Sequence, residues 1–265
     1  MLPFKKIVFP VDYSDSCWAA VPYVQGAVKH FSAQLAVVRA FTNTDWLKEV
    51  GEEVEQKLHD FVAEAFPSQK VDIFFEEGDP AKAIQKVVQH QEADLVMIPT
   101  HGREPVDEFL TGSVTEKVLR DISAAVWTVT PPALKRHPHD VEYKALLCAV
   151  DFSNETEAVL RAAKALASSY QANLLLVHVV EDPAAKTDQI EAANKVLAFW
   201  KQKVGIDAPH AVVAGMTPGT LRDQAVREKA DLIVTGRGQI QGAISRLVSD
   251  LYPVIREAPC PVLSI

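Results

Sequence analysis

The chain has 265 residues, 27 of them lysine or arginine against 35 aspartate or glutamate, and a formal charge of −8. That length can bury more than one core, and the acidic balance leaves no clustered basic footprint of the kind nucleic acid requires. Cys17, Cys148 and Cys260 are odd in number and lack metal or redox spacing, and no apolar run has the length of a signal core or a membrane span. A soluble, cytoplasmic protein of a reducing compartment is expected, with neither nucleic acid nor membrane as partner.

Ile7 to Val11 is a short apolar run, the form taken by a strand buried on both faces. A helical pattern follows from Ser16 to Phe31, then a strand at Leu35 to Val38 and a helix from Trp46 to Phe66. Val71 to Phe75, Leu95 to Ile98 and Val126 to Val129 read as strands, separated by helices at Pro80 to Gln91 and Ser113 to Asp121. Thr130 to Asp140 carries Pro131, Pro132 and Pro138 among charges; it interrupts both patterns and reads as a linker. Alternation then resumes. Strands are expected at Ala145 to Val150, Leu174 to Val179, Ala211 to Ala214, Leu232 to Thr235 and Val262 to Ile265. Helices are expected at Glu155 to Ser169, Thr187 to Val204, Thr220 to Glu228 and Ser249 to Arg256.

The second series repeats the first. Asp12 and Asp151, Gly78 and Gly215, Asp94 and Asp231, and Ser113 and Ser249 keep a separation of about 137 residues, too long for a solenoid period. The chain therefore reads as two tandem α/β domains, residues 1–134 and 141–265, each a five-stranded parallel doubly wound sheet. Such sheets bind ligands beyond the carboxyl ends of the strands, where strand order reverses. With order 3-2-1-4-5, the loop holding Asp12 faces the loop holding Pro99-Thr100-His101-Gly102.

Gly112-Ser113 at a helix start offers backbone that an anion can approach and amides that can donate to it. Ser113-Val114-Thr115-Glu116 is equally a capping box that satisfies those amides internally. Asp12 can meet a ligand or serve the following helix, and Ser14 reads as that helix's cap.

Val11-Asp12-Tyr13-Ser14, then Pro99-Thr100-His101-Gly102, nine residues and Gly112-Ser113, resemble the nucleotide-binding pattern of universal stress protein domains. Gly78-Asp79-Pro80 and Ala93-Asp94-Leu95 also resemble segments of that family, and the resemblance spans nearly the whole chain as a tandem pair. It implies Rossmann-like domains of the adenine nucleotide alpha hydrolase-like type and ATP, with or without magnesium, as cofactor. Asp12 would meet the ribose or adenine, Ala40 would lie near the base, and Gly102, Gly112, Ser113, Val114 and Thr115 would cradle the phosphates. Pro99 replaces the family's first loop glycine and removes a donor, a loss of ~1 kcal/mol that need not abolish binding. The family's domains dimerise through the last strand, which implies an internal pseudo-dimer and leaves further homodimerisation and a protein partner open.

The second copy keeps Asp151 and Ser153, but Val248 stands in the place of Gly112, Asp250 adds negative charge, and Pro253 removes an early helix donor. Little or no ATP binding is expected there. His137 and His139 read as solvated linker residues rather than metal ligands, His101 finds no legible catalytic partners, and His178 suggests packing or a backbone hydrogen bond. Arg39 suits a surface ion pair or a phosphate. Trp18, Trp46, Trp127 and Trp200 are expected in core or interface. The leading expectation is a stress-response binding protein with an adenine nucleotide in its first half. The alternatives are a nucleotide-independent interaction or ligand scaffold and a slow ATP hydrolase, for which no base or metal ligands are legible.

Overall fold

The computed structural model describes residues 3–41, 51–100, 112–135, 141–237 and 251–265. The chain divides into two compact units, Pro3–Val141 and Glu142–Ile265. The first unit runs β1 (Lys6–Pro10), α1 (Asp15–Phe31), β2 (Gln34–Phe41), α2 (Gly51–Ala65), β3 (Val71–Glu77), α3 (Pro80–Gln91), β4 (Leu95–Pro99), α4 (Ser113–Asp121), β5 (Ala125–Val129) and α5 (Pro131–Leu134). Its strands are all parallel and lie in the order β3-β2-β1-β4-β5, the order expected of a doubly wound sheet.

The second unit runs β6 (Ala145–Ala149), α6 (Thr156–Tyr170), β7 (Asn173–Val180), α7 (Thr187–Val204), β8 (His210–Ala214), α8 (Thr217–Arg227), β9 (Leu232–Thr235), α9 (Tyr252–Glu257) and β10 (Val262–Ser264). Its parallel order is β8-β7-β6-β9-β10, the same topology. Residues 46–50 of one expected helix and 249–250 of another lie outside the described residues.

Burial explains the strand pattern. β4 and β5 are buried at every position, so Leu95 to Ile98 and Val126 to Val129 have no polar alternation to show. Trp127, Phe9, Leu95 and Leu58 are all fully buried, each contributing ~2 kcal/mol or more by leaving water. α1 starts where the Ser14 hydroxyl accepts from the Cys17 amide at 3.1 Å, the expected cap. α3 starts with Pro80 after Asp79, whose Oδ1 accepts from the Ala81 and Lys82 amides at 3.1 Å.

The duplication is also written in the backbone. Outside glycine, positive φ occurs at Tyr13, Ser32 and Glu92 in the first unit and at their counterparts Phe152, Gln171 and Lys229 in the second. Gly78 and Gly215 form a fourth pair. Such conformations are costly for residues with a Cβ, so their recurrence at matched places marks one inherited chain path. The Asp94 carboxylate accepts from the Lys5 and Lys6 amides, and Asp231 accepts likewise from Lys144 and Ala145. These aspartates anchor the entry to β1 and β6.

One expectation is corrected. Pro131 to Leu134 forms a helical turn, α5, with Ala133 and Leu134 buried and the Tyr23 hydroxyl donating to the Ala133 carbonyl at 2.8 Å. Proline at the first helical positions has lost only an amide that would lack an acceptor there, so the pair opens a turn instead of breaking one.

Candidate functional site

In the first unit β1 and β4 are neighbours, and the crevice lies beyond their carboxyl ends. On the β1 side, Asp12 Oδ1 accepts from the Ser14 amide at 3.0 Å and the Ser14 hydroxyl at 2.7 Å. Asp12 thus braces the cap rather than acting as the cap. Between them Tyr13 takes φ 63°, with the Arg39 guanidinium 5.5 Å and the Lys57 ammonium 5.0 Å from its ring centre. Arg39 Nη1 also donates to the carbonyl of buried Ala40 at 2.5 Å. Among the described residues these contacts, rather than an ion pair, position Arg39 on β2.

On the β4 side two hydrogen bonds make a neck. The Gly112 amide donates to the Thr100 carbonyl at 2.8 Å, and the Thr115 hydroxyl donates to the Pro99 carbonyl at 3.1 Å. Residues 101–111, including His101 and Gly102, lie outside the described residues. The capping box expected at Ser113 and Glu116 is corrected: Gly112 is the N-cap, at φ −59°, and Ser113 is the first helical residue. The neck takes up the Gly112 amide, so donors open to an anion begin at Ser113. The amides of Ser113, Val114 and Thr115 precede the first intrahelical bond, which runs from Glu116 to the Gly112 carbonyl. A negative φ at Gly112 also removes the need for left-handed geometry there, so only bulk argues against a larger residue.

Pro99 costs the sheet little. The Thr100 amide points to β5, donating to the Val129 carbonyl at 3.2 Å. Alternation along a strand turns the position of the missing Pro99 amide toward the β1 side, beyond the last β1–β4 pair at Val8 and Val96. The lost donor therefore belongs to the crevice and not to the ladder. Below the neck, Lys117 reaches Asp79 at 2.7 Å and ties α4 to α3. Its hydrogen bond is the main cause holding the Asp79 carboxyl below its usual range.

The second unit has the same β1-side framework with different side chains. Asp151 Oδ1 accepts from the Ser153 amide at 3.0 Å, and Phe152, at φ 58°, stacks on His178 with ring centres 3.9 Å apart. His178 Nδ1 lies 2.7 Å from the Val150 carbonyl, the backbone hydrogen bond anticipated. The far side has changed. Arg237, standing where the first unit has Thr100, is buried, and burial lowers its pKa to about 10 while the charge of Glu155 opposes the shift. The Arg237 amide donates to Glu155 Oε2 at 3.0 Å. A Cβ on Gly236 would come within 3.1 Å of that oxygen and 3.2 Å of Val159 Cγ2. A cavity of roughly 350 Å³ remains, lined in part by Asp151, His178, Glu181, Thr217, Arg237 and Val254. α9 has Pro253 in its first turn; Val248 and Asp250 lie outside the described residues.

Trp18 and Trp127 pack as expected, Trp18 against Phe61 at 4.3 Å. Trp200 on α7 is half-buried, as Trp18 is, with the Lys203 ammonium 4.5 Å from its ring centre. Trp46, His137 and His139 lie outside the described residues. Among the described residues no helix is long and apolar enough to cross a membrane, and no group of three or more His, Cys, Asp or Glu is arranged to hold a metal.

Two matched units with one strand order define a tandem α/β protein of the doubly wound class. The chain belongs to the universal stress protein family, whose family model matches residues 3–130 and again 142–265. A Thermus aquaticus universal stress protein is 34% identical over 136 residues, covering 46% of this chain and 98% of that relative. One from Methanocaldococcus jannaschii is 28% identical over 144 residues, covering 49% and 84%. A solved universal stress protein structure from Archaeoglobus fulgidus covers 98% of this chain and 95% of its own at a TM-score of 0.74 and 23% identity, a likeness of fold.

Proposed function

We infer that this is a stress-response binding protein that takes ATP or a related adenine nucleotide, with or without magnesium, in the crevice of its first unit. The second unit serves structure or a protein partner. The neck at Thr100 and Gly112 carries the reading. It fixes the open first turn of α4 at the carboxyl edge of the sheet, where β1 delivers Asp12. Amides at the start of a helix attract phosphate oxygens through direct donation and the helix dipole. A carboxylate such as Asp12 accepts from hydroxyls like those of ribose, and Ala40 on β2 supplies an apolar wall for a base.

In the second unit, Glu155 accepts from the Arg237 amide where the first has Thr100, and Pro253 removes a donor from the helix start. Glu181 adds negative charge to the crevice beyond that of Asp151, the counterpart of Asp12. The lost donor and the added charge disfavour a polyphosphate there.

The test is to identify nucleotides released on denaturation by mass spectrometry and to titrate the stripped protein with magnesium ATP calorimetrically. One site per chain is expected, weakened at least about tenfold in Gly112→Val. Two equal sites, or no heat at millimolar ATP, would overturn the reading. Steady phosphate release lost in Asp12→Ala would make the protein a slow hydrolase instead.

A further inference from the structure

The two units end in topologically equivalent edge strands, and the duplication lets them be compared residue by residue. Register against β2 and β7 aligns Phe75 with Val212, Glu76 with Val213 and Glu77 with Ala214. An edge strand offers unpaired amides and carbonyls to any incoming strand, and charged side chains are a common device for keeping such edges apart. β3 carries that device: Asp72 and Glu77 are exposed, and Glu76 is held by Lys86. β8 has lost it. Its sequence is His-Ala-Val-Val-Ala, every residue is half-exposed, and among the described residues it pairs with β7 alone. Met216, two residues beyond β8, is 64% exposed, and Phe199 on α7, the helix packed over β7 and β8, is 59% exposed.

We propose that β8 is an interface strand to which the β8 of a second copy of this chain adds, antiparallel, across a twofold axis. A second copy is favoured because the strand is complementary to itself. Pairing centred on Val212 sets Ala211 against Val213 and His210 against Ala214, so every opposed pair is uncharged when the imidazole is neutral. Burial and the neighbouring Lys201 both lower the His210 pKa, which keeps it neutral near pH 7. The same pairing of β3, centred on the equivalent Phe75, would press Glu76 against Phe74 and Glu77 against Ile73, setting carboxylates against apolar side chains at the seam. Twofold pairing also closes on itself and consumes both uncharged edges, where a head-to-tail arrangement would leave one open. Met216 and Phe199 add apolar surface near the strand beyond the backbone bonds. This assembly is independent of whether the first unit holds nucleotide.

Sedimentation of the full chain from micromolar to several hundred micromolar concentration tests it. A reversible dimer is expected, with a dissociation constant raised at least tenfold in the Val213→Glu/Ala214→Glu variant, which restores the charges found in β3. Circular dichroism and thermal unfolding establish that the variant is folded. As a milder probe, Val212→Cys should form a disulfide-linked dimer on gentle oxidation, whereas Val226→Cys, 59% exposed on α8, should not; the native cysteines are buried. A chain that sediments as a single copy throughout, a dimer indifferent to the two glutamates, or cross-linking at 226 but not at 212 would each overturn the proposal.

Discussion

Thr115→Val cuts one strand of the neck while nearly preserving shape. Thr115 is 3% exposed, and its hydroxyl donates to the carbonyl of Pro99, itself in a strand buried throughout. Valine leaves that acceptor without this donor inside the protein, at a cost of ~1–3 kcal/mol. The extra methyl recovers less than ~1 kcal/mol by burial. A net loss of about 1–2 kcal/mol is expected, which for a unit of this size lowers Tm by roughly 3–10 °C. Differential scanning calorimetry reads the stability, and hydrogen exchange at Gly112 to Glu116 reads the neck itself. Exchange should quicken there, and nucleotide affinity should fall with it. Thr115→Ser keeps the hydroxyl and loses a methyl, so it should lose stability while protecting the neck amides nearly as well as threonine does. If valine matched the wild type in both stability and exchange, the hydroxyl would not be holding α4 to β4, and the argument from the neck would fail.

The other expectations concern the second unit. Gly236→Ala places a Cβ 3.1 Å from Glu155 Oε2 and 3.2 Å from Val159 Cγ2, and because that carboxylate is held by the Arg237 amide, it has little room to move. A loss of ~1–3 kcal/mol is expected in urea denaturation, and an unchanged midpoint would show that the site relaxes freely. For His178, burial is the main cause of a pKa below the ordinary 6.5, opposed by the Val150 hydrogen bond and the charge of Asp151. The unfolded chain therefore takes up a proton at higher pH than the folded one. The contribution is complete above 6.5 and is lost as pH falls through the folded value. Stability should drop on acidification through this window and drop less in His178→Gln; identical pH profiles would refute it.

The sheet was legible because its strands are buried on both faces, so β1, β4 and β5 and their copies read as apolar runs without needing tertiary information. The edges of elements were less so. β2 continues past Val38 to Phe41 through half-buried Arg39, where polarity hid a strand whose partners lie on β1 and β3. The cap of α4 was misplaced by one residue because a distant carbonyl, that of Thr100, captures the Gly112 amide, and local capping preferences contain no trace of that bond. The bond between Glu155 and Arg237 left only half a signal in the sequence. The first copy has Ser16 and Thr100 at these places, so an acid and a base stand together in the second, yet the bond runs from the Arg237 backbone amide, which any residue but proline would supply. The turn at Pro131 hid for the opposite reason, since proline breaks a helix in its interior but opens one at its first positions, where Pro131 and Pro132 stand.

The neck also separates two kinds of variation. Because the chain leaves the sheet at Thr100 and is joined to it again at Gly112 by one backbone bond, the excursion between them has its ends fixed in common. Lengthening such a closed excursion costs only slowly growing entropy, about 0.6 kcal/mol for each doubling. The two anchors therefore hold the end of β4 and the start of α4 together through their own bonds, so the register of the strands beneath does not depend on the length of chain that joins them.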